Sequence, residues 1–401
     1  MTSRERVALA LAHKEADRVP IDLGGTESSS LSAVAFANLC GHLGIDDVPM
    51  IYDVSQQVAF TSEAIRRRFS IDTAPLVFEP REWSEGVTSD GRPALVPAGW
   101  KPELAQDGSR VVRDAAGNVV ASMPAGGFYF DETYHPLAGL TRPAEIEPYR
   151  AAFESFDKAA FLDEGWDAMA ERARKLHDQT DYAVVANLCV HVLAAGTSLR
   201  GFENFMVDLV SDREMAFAVM ERLLEAYFPR IDVFAEKVAP YVDVVLVNDD
   251  LGTQGGPMLS PDTYRATVKP YHARLYDYIK RKTGKPLLMH SCGSIARLIP
   301  DLIDMGVDAI NPVQVSAADM DSAVLKRRYG DRLAFWGGGC DTQRVLGSGT
   351  PDQVRREVMR RIRDLAPGGG FVFTQVHNVQ PNVPPASIEA MLEAALEYGA
   401  Y

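Results

Sequence analysis

The sequence predicts an α/β fold, a (β/α)8 TIM barrel carrying a β-rich insertion. Three observations predict it. Eight short apolar runs recur along the 401 residues, at 19–23, 72–77, 182–187, 242–248, 286–290, 307–311, 332–336 and 370–374. The later runs are continuous in Val, Ile, Leu and Phe rather than alternating, as in parallel strands buried on both faces. Amphipathic stretches of helical period separate them, the pattern of repeated βα units. An open doubly wound sheet is the alternative, but no G-x-G-x-x-G follows any of the runs.

The elements follow in order. A helix is expected from about Ser3 to His13, with Val7, Leu9, Ala10 and Leu11 as apolar positions. The run at 19–23 ends in Gly24-Gly25-Thr26, and residues 33–44 and 60–69 read as helices. Between about 80 and 136 the texture changes. Asp107-Gly108 and Ala116-Gly117-Asn118 separate short alternating runs, which is the pattern of β-hairpins. After Pro143 strand and helix patterns alternate regularly to the end. The whole chain, 1–401, is therefore expected to form one barrel domain interrupted by the segment 80–136.

Composition narrows the function. Hydrophobic residues make up 46% and charged residues 24%, ordinary values for a globular chain. The net charge of −14 argues against nucleic acid and anionic membranes as partners. No apolar run approaches the roughly 18 residues of a membrane span. The N-terminus lacks a secretory core and the four cysteines do not form a disulfide framework, so a cytoplasmic protein is expected.

Polar residues gather just past the C-terminal ends of the proposed strands, the end that carries the active site in barrel enzymes. There lie Asn187, Asn248-Asp249-Asp250, His290-Ser291-Cys292-Gly293, Asn311 to Gln314, Gly337-Gly338-Gly339-Cys340-Asp341 and Gln375 to Asn378. In extended chain His290 and Cys292 point the same way. With Cys340 they make a soft Cys₂His set suited to zinc, and three protein ligands leave a fourth position open, the catalytic arrangement. The alternative is that the cysteines are small core residues. Asp249, Asp250 and His377 are the expected catalytic residues beside the metal, although one of the two aspartates could equally cap a helix. Asn187, Asn248, Asn311 and Gln314 are the expected substrate contacts. Cys40 and Cys189 lack metal-like spacing and are expected to be buried thiols.

Three segments carry a resemblance to a known family: Leu288 to Gly293, Leu302 to Pro312, and Trp336 to Thr342. With Ala16 to Pro20 and the closing stretch through His377 to Pro385, they resemble the uroporphyrinogen decarboxylase superfamily. The resemblance implies a (β/α)8 barrel and one of two chemistries. Its decarboxylases act without metal and carry arginines after the first strand, where this chain has none between Asp22 and Ser30. Its other branch comprises zinc methyltransferases that work with corrinoid proteins, marked by His-x-Cys and a later Cys, which His290, Cys292 and Cys340 match. The resemblance thus implies zinc, a methyl group passed between a small methyl ether or thiol and a corrinoid (cobalamin), and an O-demethylase-type activity. No Asp-x-His-x-x-Gly cobalamin motif is present, so the corrinoid is expected on a separate partner protein. A homodimer is compatible with the sequence. A decarboxylase, or a non-catalytic barrel binding a metal or small molecule, is the alternative.

Overall fold

A computed structural model describes residues 1–114, 116–154, 162 and 164–401. Seven parallel strands hydrogen-bond in chain order in one curled sheet. We number the barrel strands with residues 19–23 as β1. The others are β2 (Thr73–Leu76), β3 (Ala183–Asn187), β4 (Val244–Asn248), β5 (Leu287–His290), β6 (Ala309–Asn311), β7 (Ala334–Trp336) and β8 (Phe371–Val372). β1 closes the ring. Ile21 bridges Phe373 in parallel. Asp22 N–H donates to the Phe373 carbonyl at 2.8 Å on one side, and Asp72 N–H donates to the Ile21 carbonyl at 2.7 Å on the other. Seven of the eight expected runs form strands, most a residue or two shorter than predicted, and the extended segment 19–23 joins the ring through one bridge and backbone hydrogen bonds.

Strand alternation divides the core in two. Ala183, Val185, Val244, Leu246, Leu288, Ala309, Ala334, Trp336 and Val372 fill the barrel interior, joined by Val7 and Ala10 of the first helix (Ser3–Leu11). That helix therefore seals the N-terminal end. The intervening residues, among them Val184, Val245, Met289, Ile310 and Phe335, pack outward against the helices.

The buried carboxylate of Asp72 ties this end together. It accepts from Arg6 Nη1 at 2.6 Å, from Arg18 Nη1 at 2.7 Å and from Ile21 N–H at 2.7 Å. One side chain thus joins the sealing helix, β1 and the start of β2.

The insertion is β-rich, as expected. Trp83–Val87 pairs antiparallel with Pro93–Pro97. A four-stranded antiparallel sheet follows, built from Glu103–Leu104, Arg110–Arg113, Val119–Met123 and Asp131–Glu132. One small sheet was not expected: Val58–Ala59 pairs with Leu31–Ser32 and Ile51–Asp53. This shortens the helix expected at 60–69 to Glu63–Arg68. Among the described residues no helix is long and apolar enough to cross a membrane.

Asp72→Ala leaves two arginines near or below the surface without their shared acceptor. Breaking a buried pair in this way costs about 3–5 kcal/mol. The urea midpoint of the variant is expected to fall accordingly, and an unchanged midpoint would show that ring closure does not depend on this carboxylate.

Candidate metal centre

The inward-facing row of side chains continues past the apolar interior. Counting in twos from Val185, Leu246, Leu288 and Ala309 brings Asn187, Asn248, His290 and Asn311 onto the inner face at the strand ends. Asn248 registers with His290, and His290 with Asn311. The mouth of the barrel is thus ringed by amides and one imidazole.

His290, Cys292 and His377 bring their ligand atoms within 4.8 Å of one another. His290 Nε2 lies 3.5 Å from Cys292 Sγ. Ligand bonds of about 2.0–2.1 Å to nitrogen and 2.3 Å to sulfur at a tetrahedral angle put the two atoms about 3.6 Å apart, so this pair has the spacing of two zinc ligands. The rings of His290 and His377 meet edge to face with centroids 5.8 Å apart.

Each imidazole is oriented by an asparagine. Asn311 Nδ2 donates to the Trp336 carbonyl at 3.0 Å, which turns its oxygen toward His290. That oxygen accepts from Ser28 Oγ at 2.7 Å and lies 2.8 Å from His290 Nδ1. An amide oxygen can only accept, so Nδ1 carries the proton and Nε2 presents its lone pair. His377 repeats the device. Its Nδ1 is 2.8 Å from Asn378 Oδ1, which also accepts from Tyr129 Oη at 3.0 Å and Gln380 Nε2 at 2.6 Å. Burial and the neighbouring His290 lower the pKa of His377, favouring the neutral, ligating form.

Asp250 borders the cluster. Its Oδ1 accepts the Cys292 N–H at 2.7 Å and lies 3.7 Å from His290 Nε2. Gly293 allows this closeness. Its φ of +85° is left-handed, and a Cβ there would meet the Gly252 carbonyl carbon at 2.3 Å. Burial, then the Asp250 carboxylate, push the Cys292 thiol well above its usual pKa. The thiol is therefore protonated without a metal, and metal uptake must displace that proton. Among the described residues this donor set, two imidazoles and a thiol open on one side, fits zinc.

The structure departs from several expectations. Cys340 is not brought into the cluster. It is fully buried in the outer core, where burial and then Glu357 raise its pKa. Gly337 and Gly338, at φ of +103° and +82°, break the strand alternation just before it, so its thiol no longer follows the inward row. The third potential ligand beside His290 and Cys292 is His377, expected as a catalytic residue.

Asp249 faces away from the mouth. It accepts from the N–H groups of Val192, Leu193 and Ala194 at the start of the helix Leu193–Arg200, and from buried His272 Nε2 at 2.8 Å. Burial opposes its charge, but His272 and these donors hold its pKa below the ordinary value. Gln314 accepts the Gly293 N–H at 2.6 Å and so braces the Cys292 loop rather than lining a cavity.

A cavity of about 550 Å³ adjoins the cluster, lined in part by His377, Asn187 and Asn248. Asn311 borders the metal ligands instead. Cys189, expected in the core, lies on the cavity wall. Sequence reasoning missed Glu27 and Tyr129, which also line it. Glu27 sits in the loop after β1, where a carboxylate among serines was the available signal, and Asn187 Nδ2 donates to it at 2.9 Å. Burial raises its pKa.

The model of the uroporphyrinogen decarboxylase (URO-D) family matches residues 186–398, more than half of the chain and all strands from β4 to β8. The chain belongs to the uroporphyrinogen decarboxylase family. It is 30% identical over 185 residues to a uroporphyrinogen decarboxylase of Methylococcus capsulatus, covering 45% of this chain and 49% of that one. It is 27% identical over 177 residues to one of Hydrogenovibrio crunogenus, covering 42% and 47%. The matched stretch thus spans about half the length of these curated relatives. A solved structure, a methyltransferase from Methanosarcina mazei, superposes with a TM-score of 0.62 over 99% of both chains at 15% identity, which is a likeness of fold. All metal-cluster residues fall inside the family match.

Asn311→Ala removes the partner that orients His290, a loss of the kind that weakens metal binding by about 10–100-fold. Chelator competition is expected to show this, and unaltered affinity would show that Asn311 plays no part. Asp249→Ala uncaps a helix and strands His272, so thermal stability is expected to fall by about 2–4 kcal/mol with metal affinity retained. Below the Cys292 pKa, metal affinity is expected to rise about tenfold per pH unit for each displaced proton. A pH-independent affinity would place the thiol outside the site.

Proposed function

We propose that this protein is a zinc-dependent methyltransferase that moves a methyl group between a small substrate and a corrinoid carried by a partner protein. One observation carries the reading: an imidazole, a thiol and a second imidazole converge at the barrel mouth with one side open to a cavity. Three protein ligands and an open position are the arrangement of catalytic rather than structural zinc. Bound there, zinc would supply Lewis acidity toward the heteroatom that loses or gains the methyl group.

The chain's own residues would do the rest. Asn311 and Asn378 hold the imidazoles with Nε2 toward the open position. Asp250 is the group beside that position able to accept a proton or complete the coordination. Asn187 and Asn248 supply polar contacts on the cavity wall. The insertion contributes Tyr129 and Phe130 to that wall and narrows the approach. The corrinoid would approach from the open C-terminal face, on a separate protein.

Porphyrinogen decarboxylation is the reading set against this one. Its polycarboxylate substrate calls for cationic partners. The segment after β1 holds no arginine, and no Lys or Arg lines the cavity among the described residues.

The protein is expected to carry about one zinc per chain when purified without chelator. Cys292→Ser is expected to lose most of it, while Cys340→Ser keeps it. Methyl transfer to or from a reduced corrinoid protein should depend on that zinc, and uroporphyrinogen should not be decarboxylated. Absence of zinc, or decarboxylation at an enzyme-like rate, would overturn the proposal.

A further inference from the structure

A histidine binds a metal only through a nitrogen that carries no proton, so each imidazole here depends on an amide facing the right way. An amide can be turned over with little change of shape. For His290 the direction is fixed one step away. Asn311 Nδ2 donates to the Trp336 carbonyl, which can only accept. Asn378 differs. Its Nδ2 donates to Gln56 Oε1 at 3.3 Å, and Gln56 is itself an amide that can turn over. The direction of Gln56 is set one step further on. Its Nε2 donates to Asp53 Oδ2 at 2.8 Å, and a carboxylate only accepts. A chain of fixed polarity results. His377 Nδ1–H donates to Asn378 Oδ1 at 2.8 Å, Asn378 to Gln56, and Gln56 to Asp53.

The surroundings agree with that polarity. Asp53 ends the strand Ile51–Asp53 of the small unexpected sheet. Its Oδ1 accepts the N–H groups of Ser55 and Gln56 at 2.9 and 3.0 Å, so the carboxylate is held with Oδ2 toward the Gln56 amide. Asn378 Oδ1 also accepts from Tyr129 Oη at 3.0 Å and from Gln380 Nε2 at 2.6 Å. A hydroxyl can donate or accept, and the carbonyl contact that orients Gln380, to Asn378 O, is long at 3.4 Å. The charged acceptor is the firmer anchor. Asn378 is only 1% exposed, so water is not at hand to repair a reversed amide. Reversed, it would present Nδ2 to His377 Nδ1 and draw the imidazole proton to Nε2, the nitrogen left for a metal.

We infer that Asp53 is a positioning residue for the metal centre: acting through Gln56 and Asn378, it keeps the His377 proton on Nδ1 and leaves Nε2 free to bind metal. The inference deepens the proposed zinc reading by naming a group that prepares the site before metal arrives, and its effect on zinc affinity rests on that reading. The tautomer does not rest on it, because the tautomer is a property of the metal-free protein.

The test is NMR of the full chain, stripped of metal and carrying isotope-labelled histidine, at about pH 8, above the ordinary imidazole pKa. His377→Gln identifies the His377 signals. In the parent protein the proton is expected on Nδ1. Gln380→Ala should leave it there, since Asp53 still sets the chain. Adding Asp53→Asn keeps an acceptor for the Ser55 and Gln56 N–H groups but lets Gln56 turn over, so signals of the Nε2–H tautomer are expected to appear. Adding Gln56→Glu as well puts an acceptor-only group beside Asn378 Nδ2 and should return the proton to Nδ1. Zinc affinity, read by chelator competition, is expected to fall at least in proportion to the fraction with Nε2 free, about twofold at equal populations, and to recover with the third substitution. Circular dichroism checks the fold. If the multiply substituted chains fail to fold, Asp53→Asn alone is expected to show the Nε2–H signals. A proton on Nε2 in the parent protein, one that stays on Nδ1 after Asp53→Asn, or one that Gln56→Glu fails to return would overturn the inference. So would zinc affinity that falls with the tautomer unmoved, the signature of a through-space charge effect alone. In each of these cases the parent protein would still bind about one zinc per chain, whereas absence of zinc would overturn the methyl-transfer reading and leave the NMR result standing.

Discussion

Seven parallel strands make only a curled sheet, and it is the short β1 segment, 19–23, that makes them a ring. Its carbonyls and N–H groups reach β8 on one side and Asp72 on the other. Closure has a directional consequence. With all strands parallel, every C-terminal end lies on one rim, and residues far apart in the chain become neighbours. Asn248, His290 and Asn311 form one inward layer because their strands are in register and side chains alternate, with Asn187 inward one step lower, opposite Leu246. Asp72, with two arginines on one carboxylate, holds the opposite end, so the rim is built on a rigid base.

The candidate site takes its precision from what surrounds it. At Nδ1 neither histidine meets a charged partner. Each Nδ1 faces an asparagine oxygen that is itself anchored, one by the Trp336 carbonyl and one by hydrogen bonds from Tyr129 and Gln380. A neutral acceptor fixes the tautomer without adding charge, which leaves the acidity of the site to Cys292 and Asp250. Tyr129 comes from the insertion, so the insertion helps to orient a ligand atom of the barrel as well as walling the cavity.

Much of this was legible in the sequence because it depends on period. Apolar runs marked the eight strands, and His-x-Cys spacing placed His290 and Cys292 on one side of the chain. What periodicity cannot supply is the path of a loop. Cys340 follows three glycines, two in left-handed conformations, and its thiol turns to the outer core while its carbonyl accepts the Val376 N–H. His377, next to Val376 in the loop after β8, joins His290 and Cys292 in the cluster instead. Asp249 and Asp250 look alike in sequence. Adjacent residues on a strand end face opposite ways, and only the packing of the helix Leu193–Arg200 decides which one caps it. Glu27 lies in a loop, where period gives no signal, and reaches the cavity wall beside Asn187.

The account stands on the identity of three ligands, and X-ray absorption at the zinc edge reads them directly. The expected spectrum shows one sulfur at about 2.3 Å and two imidazole nitrogens at about 2.0–2.1 Å, with one further light atom. It should lose the sulfur shell in Cys292→Ser and keep it in Cys340→Ser. A two-sulfur shell would return Cys340 to the metal and contradict the site described here, as would a spectrum without sulfur.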